Sequence, residues 1–302
     1  MAARAAVWRE VKRNRHFYLF ISPFFILFSV FGLYPLLFSL YLSFVNWDGL
    51  TRPVWVGLSN FRVMLDDEVL RAALWNTLVI GLLYIPPMMA LAFLFANVLN
   101  LQWLRLKAFY RAAFFLPAVT PMVVIALVFS LFFSAEKGVL NFLITQAGRV
   151  LPFLHLGPIP WITSPDWSKV SIAILVTWRW TGYNMVLMLA GLQGIPVEFC
   201  EAAIVDGANV WPRLRHITLP LMLPTFRFCM VLSILGTVYM FDEIFILTQG
   251  GPGVSSTNFG LYLFNTSFQD FKFGYASCVA YSVAFFVFLA SLYLARQNRD
   301  RA

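Results

Sequence analysis

The sequence predicts an all-α membrane protein with six transmembrane helices, and three features indicate it: composition, long apolar runs and the placement of basic residues. The chain is 60% hydrophobic and 18% aromatic, with 12% charged residues and a mean hydropathy of +0.76. Soluble domains carry about 25% charged residues, so this chain lacks the polar surface that a globule in water needs. Its net charge of +8 would suggest nucleic acid in a soluble protein. In a membrane protein, basic residues instead gather on cytoplasmic loops.

Six apolar runs reach or approach the ~20 residues that cross ~30 Å of hydrocarbon. They lie at about 17–44, 74–99, 112–133, 170–192, 222–247 and 275–295. The first run exceeds the apolar core of a signal peptide and is followed by no small-residue cleavage site, so we expect it to remain as an anchor. The predicted layout is a basic tail (1–16), a six-helix domain (17–295) and a short tail (296–302).

Lysine and arginine placement predicts the orientation. They cluster in four segments: the N-terminal tail, the loop after the second run, the polar insert after the fourth run, and the C-terminal tail. The three alternating segments, 45–73, 134–169 and 248–274, hold only seven between them. By the positive-inside rule both termini and the polar insert are cytoplasmic.

Several predicted spans contain proline, which removes a backbone donor and bends a helix. Such bends are tolerated in lipid where neighbouring helices satisfy the freed carbonyls. Bent, mutually packed helices suit a transporter, but the same pattern is also an ordinary feature of polytopic proteins, and the sequence leaves both interpretations open. The prolines are Pro23, Pro35, Pro86, Pro87, Pro117 and Pro121.

The polar insert, about 193–221, interrupts the apolar sequence with a charged, helix-forming stretch. Pro196 suits a first helical turn, and Glu198 and Glu201 favour the positive end of the helix dipole. Gly207 can end that helix in the left-handed conformation. We expect a second short helix at about 210–217, closed by Pro220.

The first insert helix carries an apolar face that has no role in lipid. Phe199, Ala203 and Ile204 lie on it, and the insert has no catalytic constellation. Docking into a groove of another protein is therefore the expected purpose of the insert.

Glu201-Ala202-Ala203, three residues, Gly207, nine residues and Ile217-x-Leu219-Pro220 resemble the EAA loop of permease subunits in bacterial binding-protein-dependent ABC importers. Stretches 56–78, 248–257 and 271–277 are similar to the carbohydrate branch, in its maltose-permease-like subunit. The resemblance covers about 17–295 and implies the type I permease fold in the bacterial inner membrane.

The resemblance also implies partners. It implies a second homologous permease subunit, two cytosolic ATPase subunits and an extracytoplasmic solute-binding protein. The EAA helix would insert into a cleft of the ATPase subunit, and the coupling residues would be Glu201, Ala202, Ala203, Asp206, Gly207, Ile217, Leu219 and Pro220. The chain has no GxxxxGK[ST] phosphate loop, so ATP and Mg²⁺ belong on the ATPase subunits, and this chain is expected to bind no cofactor and to catalyse no reaction.

Other chemistry-bearing residues are few. Cys200, Cys229 and Cys278 form no CxxC pattern and are expected to be free thiols. The glycine-rich GGPG at 250–253 offers no lysine and predicts a turn. The three histidines fall in separate loops and HExxH is absent, so no metal site is indicated.

A charge inside the membrane costs about 3 kcal/mol or more and marks a candidate site. Arg179 lies in the middle of the fourth run, with Tyr183 on the same face. Ser233 and Thr237 share a face of the fifth run at a similar depth. By resemblance, sugar lies between these two helices, and the implied substrate-binding residues are Arg179, Trp180, Tyr183, Ser233, Gly236, Thr237 and Met240. The open alternative for Arg179 is a structural ion pair with a carboxylate of the partner subunit.

Asp242 and Glu243 lie near the external end of the fifth run. They suit a gate or a contact for the binding protein, but we expect an interfacial pair that faces water.

Four functions remain in comparison. The leading one is a sugar-importing ABC permease subunit. A glycerol-3-phosphate or other anionic-solute permease would need a second cation beside Arg179, and none is evident at that depth. A membrane transferase would need a carboxylate or metal cluster, for which Asp66-Asp67-Glu68 is the nearest candidate. A secondary carrier would need no EAA loop, and the inverted repeats typical of many carriers are not found in the sequence.

Overall fold

The computed structural model describes residues 13–101, 103–150 and 157–299, and side chains as far as residue 289. Most of the predicted N-terminal tail and the end of the C-terminal tail lie outside these ranges. The described chain divides into two compact units, Glu68–Tyr262 and the two terminal segments Met1–Asp67 with Leu263–Ala302.

The described chain is mostly helical, with one two-stranded sheet. Its elements are α1 (Arg15–Phe28), α2 (Tyr34–Leu42), β1 (Val45–Asn46), β2 (Val54–Trp55), α3 (Ser59–Leu65), α4 (Glu68–Asn100), α5 (Lys107–Val119), α6 (Met122–Phe132), α7 (Val139–Val150), α8 (Pro165–Gln193), α9 (Val197–Val205), α10 (Val210–Arg213), α11 (Leu219–Tyr239), α12 (Asp242–Leu247), α13 (Phe259–Phe264) and α14 (Phe273–Arg299). Three π-helical turns, Ser29–Leu33, Leu214–Thr218 and Asn265–Gln269, connect helices on either side of them.

In the terminal unit, α1 and α2 form one long apolar helix, Arg15–Leu42. No residue of α1 is buried within the chain, although its sequence is almost wholly apolar. This surface therefore requires hydrocarbon or another protein around it.

A hairpin and α3 follow the long helix. Val45 pairs with Trp55 in the antiparallel β1–β2 ladder. The hairpin loop is held by Asp48, whose carboxylate accepts hydrogen bonds from the backbone and hydroxyl of Thr51 and from the backbone of Leu50. These bonds, the one from the Thr51 backbone first, lower the pKa of Asp48 to about 2.

The two sequence stretches at 56–78 and 271–277 meet in this unit. Tyr275 donates a hydrogen bond to Asp67 at 2.7 Å, and Gly274 lies so close to Val45 that a Cβ would stand 2.0 Å from its carbonyl oxygen. The Asp66-Asp67-Glu68 cluster is thus tied into the helical scaffold at Asp67.

In the second unit, α4 packs along α8. The buried side chains of α4 recur every four residues, which places them on one face of the helix. They include Ile80, Tyr84, Met88, Ala92 and Ala96. The helix runs without a break through Pro86 and Pro87.

Small residues allow other helices to approach α8 closely, as is usual in membrane helix packing. A Cβ on Gly182 would stand 1.7 Å from the carbonyl oxygen of Phe114 on α5, and one on Gly191 would stand 2.5 Å from Thr225 Oγ1 on α11. The crossings of α8 with α5 and with α11 therefore depend on these two glycines.

The third predicted span, 112–133, is not one helix. α5 and α6 meet at an angle of 93°, and the break falls at Thr120 and Pro121, both of which have extended backbone angles. Pro121 cannot donate to the carbonyl of Pro117, so the first helix ends there.

The fifth predicted span, 222–247, is also interrupted. α11 ends at Tyr239, and the six-residue α12 starts anew at Asp242. The reason lies at Met240, whose carbonyl accepts a hydrogen bond from the side chain of Asn258 instead of from a helical amide.

Each of the six predicted runs is helical, although the third and fifth are each divided between two helices. Length and composition support fewer crossings than six. Among the described residues, three helices are long and apolar enough to cross a membrane, or five if each of two bent pairs is one span. The last run is a shorter apolar helix, Phe273–Leu289. The number of crossings remains a prediction.

Gly182→Ala should destabilise the second unit because the added methyl meets the Phe114 carbonyl and must push α5 away from α8. Overpacking of this kind costs about 1–3 kcal/mol or more, so the thermal midpoint in detergent should fall by several degrees. Gly236→Ala is the matched control, since no atom lies within 4 Å of the Cβ position there. Equal midpoints for the two variants would contradict the predicted role of Gly182.

Candidate functional site

The candidate site is a cavity of about 570 Å³ within the second unit. Its walls come from α4, α8, α11 and the start of α12, and its volume is in the range of small-molecule sites. It is lined by Tyr84, Met88, Arg179, Trp180, Tyr183, Asn184, Leu232, Ser233, Gly236, Tyr239, Met240, Phe241, Asp242 and Glu243.

Six of the seven predicted substrate-binding residues line this cavity. They are Arg179, Trp180, Tyr183, Ser233, Gly236 and Met240. Thr237 does not line it: its hydroxyl is buried and hydrogen-bonded to Ser233 and Tyr84. The two helices that the sequence singled out therefore face one space. Contact with a solute remains a prediction for each of these residues.

Arg179 forms an ion pair with Glu243 at 2.9 Å, and the two side chains are 14% and 9% exposed. The sequence predicted a water-facing pair at 242–243, and this is wrong for Glu243. The break after Tyr239 starts a new helix that turns Glu243 inward, while Asp242 stays exposed.

The alternative expected for Arg179 was an ion pair with a carboxylate of a partner subunit. The carboxylate that pairs with it lies in this chain and is that of Glu243. Pairing offsets the cost of a desolvated guanidinium. Arg179 Nη1, the nitrogen that binds Glu243, also lies 3.0 Å from the sulfur of Met122 on α6. The guanidinium of Arg179 stands 5.3 Å from the ring centroid of Trp180.

Tyr84 is a wall residue that the sequence analysis missed. Its hydroxyl donates to the Ser233 carbonyl at 2.8 Å and lies 2.7 Å from the Thr237 hydroxyl. This contact ties α4 to α11 behind the cavity. A tyrosine within a long apolar run was the available signal, but no charged residue stands beside it in the sequence.

Asn184 is a second missed residue. Its Nδ2 donates to the Trp180 carbonyl at 3.1 Å, which fixes the orientation of the amide. Among the described residues, neither its Oδ1 nor the Nε of Arg179 has a hydrogen-bond partner, and both atoms are buried. Buried polar atoms are normally satisfied, so these two atoms mark the place where a further partner is needed.

The loop 248–258 follows α12 and is hydrogen-bonded to α4, one of the helices that form the cavity. Asn76 Nδ2 donates to the carbonyls of Val254 and Thr257, each at 2.9 Å. Gly250 and Gly253 have positive φ angles of 83° and 61°, which confirms the turn predicted for GGPG.

A larger cleft of about 710 Å³ lies among α4, α5 and α8, but its lining is apolar apart from two threonines, Thr177 and Thr181. Hydrocarbon suits it better than a polar solute. The smaller cavity, where charged and hydroxyl groups converge, is therefore the candidate solute site.

The polar insert is exposed. α8 and α9 meet at 67°, and Gly207 takes φ of 77° at the end of α9, as predicted. Glu201 and Ala202 are exposed, and Phe199 and Ile204 expose 53% and 55% of their surface, whereas Ala203 is half-buried.

Pro220 does not close a second short helix, contrary to the prediction. Val210–Tyr239 is one helix, with the π turn Leu214–Thr218 just before the proline. Leu219 donates to the carbonyl five residues back, and this wider turn accommodates a proline that has no donor of its own. The helix that contributes to the cavity wall therefore also contains Ile217, Leu219 and Pro220.

Cys229 and Cys278 are buried, Cys200 is half-buried, and all three are free, as predicted.

Comparison with known proteins identifies the class. The family model "Binding-protein-dependent transport system inner membrane component" matches residues 92–302, and the chain belongs to this family of membrane transport components. The resemblance stated from the EAA motif is thereby confirmed.

Individual relatives match across nearly the whole chain. The lactose transport system permease protein LacF of Rhizobium radiobacter is 36% identical over 93% of this chain and 94% of its own length. The arabinooligosaccharides permease protein AraP of Bacillus subtilis is 32% identical over 96% of this chain and 91% of its own.

A crystal structure of a bacterial ABC transporter that imports the acidic polysaccharide alginate has the same fold. It superimposes with a TM-score of 0.81 at 22% identity, covering 97% of this chain and 98% of that one. The type I ABC permease fold expected from the sequence is confirmed.

Arg179→Ala should leave the Glu243 carboxylate buried without a partner, which typically costs about 3–5 kcal/mol. We expect a clearly lower thermal midpoint for the purified protein. The control is Arg179→Met combined with Glu243→Leu, which removes both charges and should recover most of the loss. If Arg179→Ala is as stable as the parent, the pair does not hold α8 to α12.

Proposed function

We propose that this chain is a transmembrane permease subunit of an ABC importer for a sugar, a mono- or oligosaccharide delivered by an external binding protein. The observation that carries the proposal is the match of nearly the whole chain to relatives named as sugar permeases. The cavity supports it, because aromatic faces beside hydroxyl groups suit a polyhydroxylated ligand.

The partners in this proposal are a second homologous permease subunit, two cytosolic ATPase subunits and an extracytoplasmic solute-binding protein. A bacterial ABC transporter of the same fold has been solved in complex with a periplasmic protein bound to alginate pentasaccharide, which supports the last of these. ATP and Mg²⁺ would be held by the ATPase subunits, and this chain would carry no catalytic step.

The coupling surface is the exposed elbow of α9 and Gly207. Glu201 and Ala202 are exposed, and Phe199 and Ile204 present apolar surface to the solvent. Exposed apolar side chains on a polar loop of this kind are typical of a protein–protein contact. An ATPase subunit would bind at this elbow. The cavity would open alternately to the two faces of the membrane, and the solute would cross in this way.

Glu201→Lys should abolish solute uptake and substrate-stimulated ATPase activity while the subunit still inserts, because it reverses the charge at the docking helix. Uptake by membrane vesicles and ATPase activity of the purified complex measure this. Glu136→Lys, at an exposed position outside the insert, is the control of equal chemistry. Normal uptake by Glu201→Lys would remove the docking role.

Gly207→Ala isolates the backbone requirement at the elbow. No atom lies within 4 Å of a Cβ there, yet φ is 77°, so the substitution strains the backbone without a clash. We expect weaker coupling of ATP hydrolysis to uptake, and a complete loss for Gly207→Pro, since proline cannot adopt this φ.

Six crossings with cytoplasmic termini can be tested with alkaline phosphatase fusions. Fusions at residues 48, 136 and 252 should be active and those at 105, 207 and 299 inactive, because the enzyme folds only outside the cytoplasm. Activity at 207 would place the elbow on the wrong side for an ATPase and contradict the proposal.

A further inference from the structure

Three charged side chains line the cavity: Arg179, Asp242 and Glu243. The Arg179 charge is already compensated by Glu243 at 2.9 Å. Asp242 is exposed and has no ion-pair partner among the described residues. The lining therefore carries a formal charge of −1, although it contains an arginine.

An uncompensated carboxylate at the wall of a partly enclosed space repels anions, since screening by salt is weak where water is restricted. A solute with a carboxylate or phosphate would find no free cation in this cavity. It would also approach a negative charge on Asp242. An uncharged solute meets neither penalty.

The unpartnered atoms point to the same kind of ligand. Asn184, a cavity-lining residue with only 3% of its surface exposed, has an Oδ1 that needs a donor, and Arg179 has an Nε that needs an acceptor. A hydroxyl group is both a donor and an acceptor. An oxyanion offers no proton to Asn184.

We propose that this cavity selects uncharged, hydroxyl-rich solutes over anionic ones, and that Glu243 and Asp242 set this selectivity. Glu243 does so by neutralising Arg179, and Asp242 by supplying the remaining negative charge. This inference rests on the proposed function for its substrate class, but the charge of the cavity can be measured without knowing the solute.

The test places a thiol in the cavity and measures its reaction with charged reagents. Gly236→Cys is the reporter, because Gly236 lines the cavity and has open space at its Cβ position. Cys200→Ala removes the half-buried native thiol, and the same protein without the reporter corrects for Cys229 and Cys278. Membranes containing the full chain with its companion subunits are treated with cationic trimethylammonium-ethyl or anionic sulfonatoethyl methanethiosulfonate.

The quantity compared is the ratio of the cationic to the anionic reaction rate, divided by the same ratio for a free thiol in solution. We expect this ratio to exceed one in the parent. Asp242→Asn combined with Glu243→Gln leaves the Arg179 charge uncompensated and changes the formal charge of the lining from −1 to +1. It should lower the ratio at least about tenfold. Arg179→Gln combined with Glu243→Gln keeps the formal charge at −1 and should keep the ratio within about threefold of the parent.

Two results would overturn the inference: a parent ratio below one, or a ratio that Asp242→Asn with Glu243→Gln does not lower. A ratio close to one in the protein with Arg179→Gln and Glu243→Gln would also contradict the inference. The formal charge of the cavity would then not be the cause of the preference for the cationic reagent.

Uptake of lactose and of its anionic derivative lactobionate provides a separate measurement. We expect lactobionate to be excluded by the parent, so lactobionate uptake at the rate of lactose would contradict the selectivity. If neither sugar is taken up while the reagent ratio behaves as expected, lactose is excluded as the solute of the proposed import and the charge assignment stands.

Discussion

A guanidinium in a membrane-spanning helix has to find an opposite charge, because hydrocarbon offers it no other partner. In this chain the partner is Glu243, which reaches Arg179 only because α11 ends at Tyr239 and a new helix starts at Asp242. The break is held by Asn258, whose side chain binds the Met240 carbonyl. The loop leading to Asn258 is in turn held by Asn76 of α4. The Arg179–Glu243 ion pair, the break after Tyr239 and the side-chain bonds of Asn258 and Asn76 thus form one connected set of contacts in the second unit.

The hydroxyl groups around the cavity follow a related rule. Ser233 and Thr237 donate to carbonyls one turn back in their own helix, which satisfies both hydroxyl protons within the helix. Their protons are committed, so the oxygen of Ser233 faces the cavity as an acceptor. Together with Tyr84, which binds the same turn of α11, they make a wall whose polar groups are oriented before any solute arrives.

Much of this architecture was readable from the sequence, because lipid imposes simple rules on length and polarity. Apolar runs located the helices, and the EAA spacing located the elbow with its left-handed Gly207. The sequence predicted a proline bend in the third run, but not that the bend at Pro121 would divide it into two helices at 93°. The end of α11 was not predicted, because it depends on a side-chain bond from Asn258 to the Met240 carbonyl. The inward turn of Glu243 followed from the second break, and a sequence cannot show which of two adjacent carboxylates points inward. Tyr84 and Asn184 come from positions whose role depends on packing between distant segments.

The continuity of Val210–Tyr239 has a mechanical consequence. Gly236 lies 26 residues from Val210 along one helix, a separation of about 39 Å at 1.5 Å per residue. A straight helix of this length that tilts by about 5° about its Val210 end displaces its far end by about 3 Å, comparable to the length of one hydrogen bond. The π turn beside Pro220 is the place where such a helix can flex, and its stiffness would decide how much of a push at one end arrives at the other.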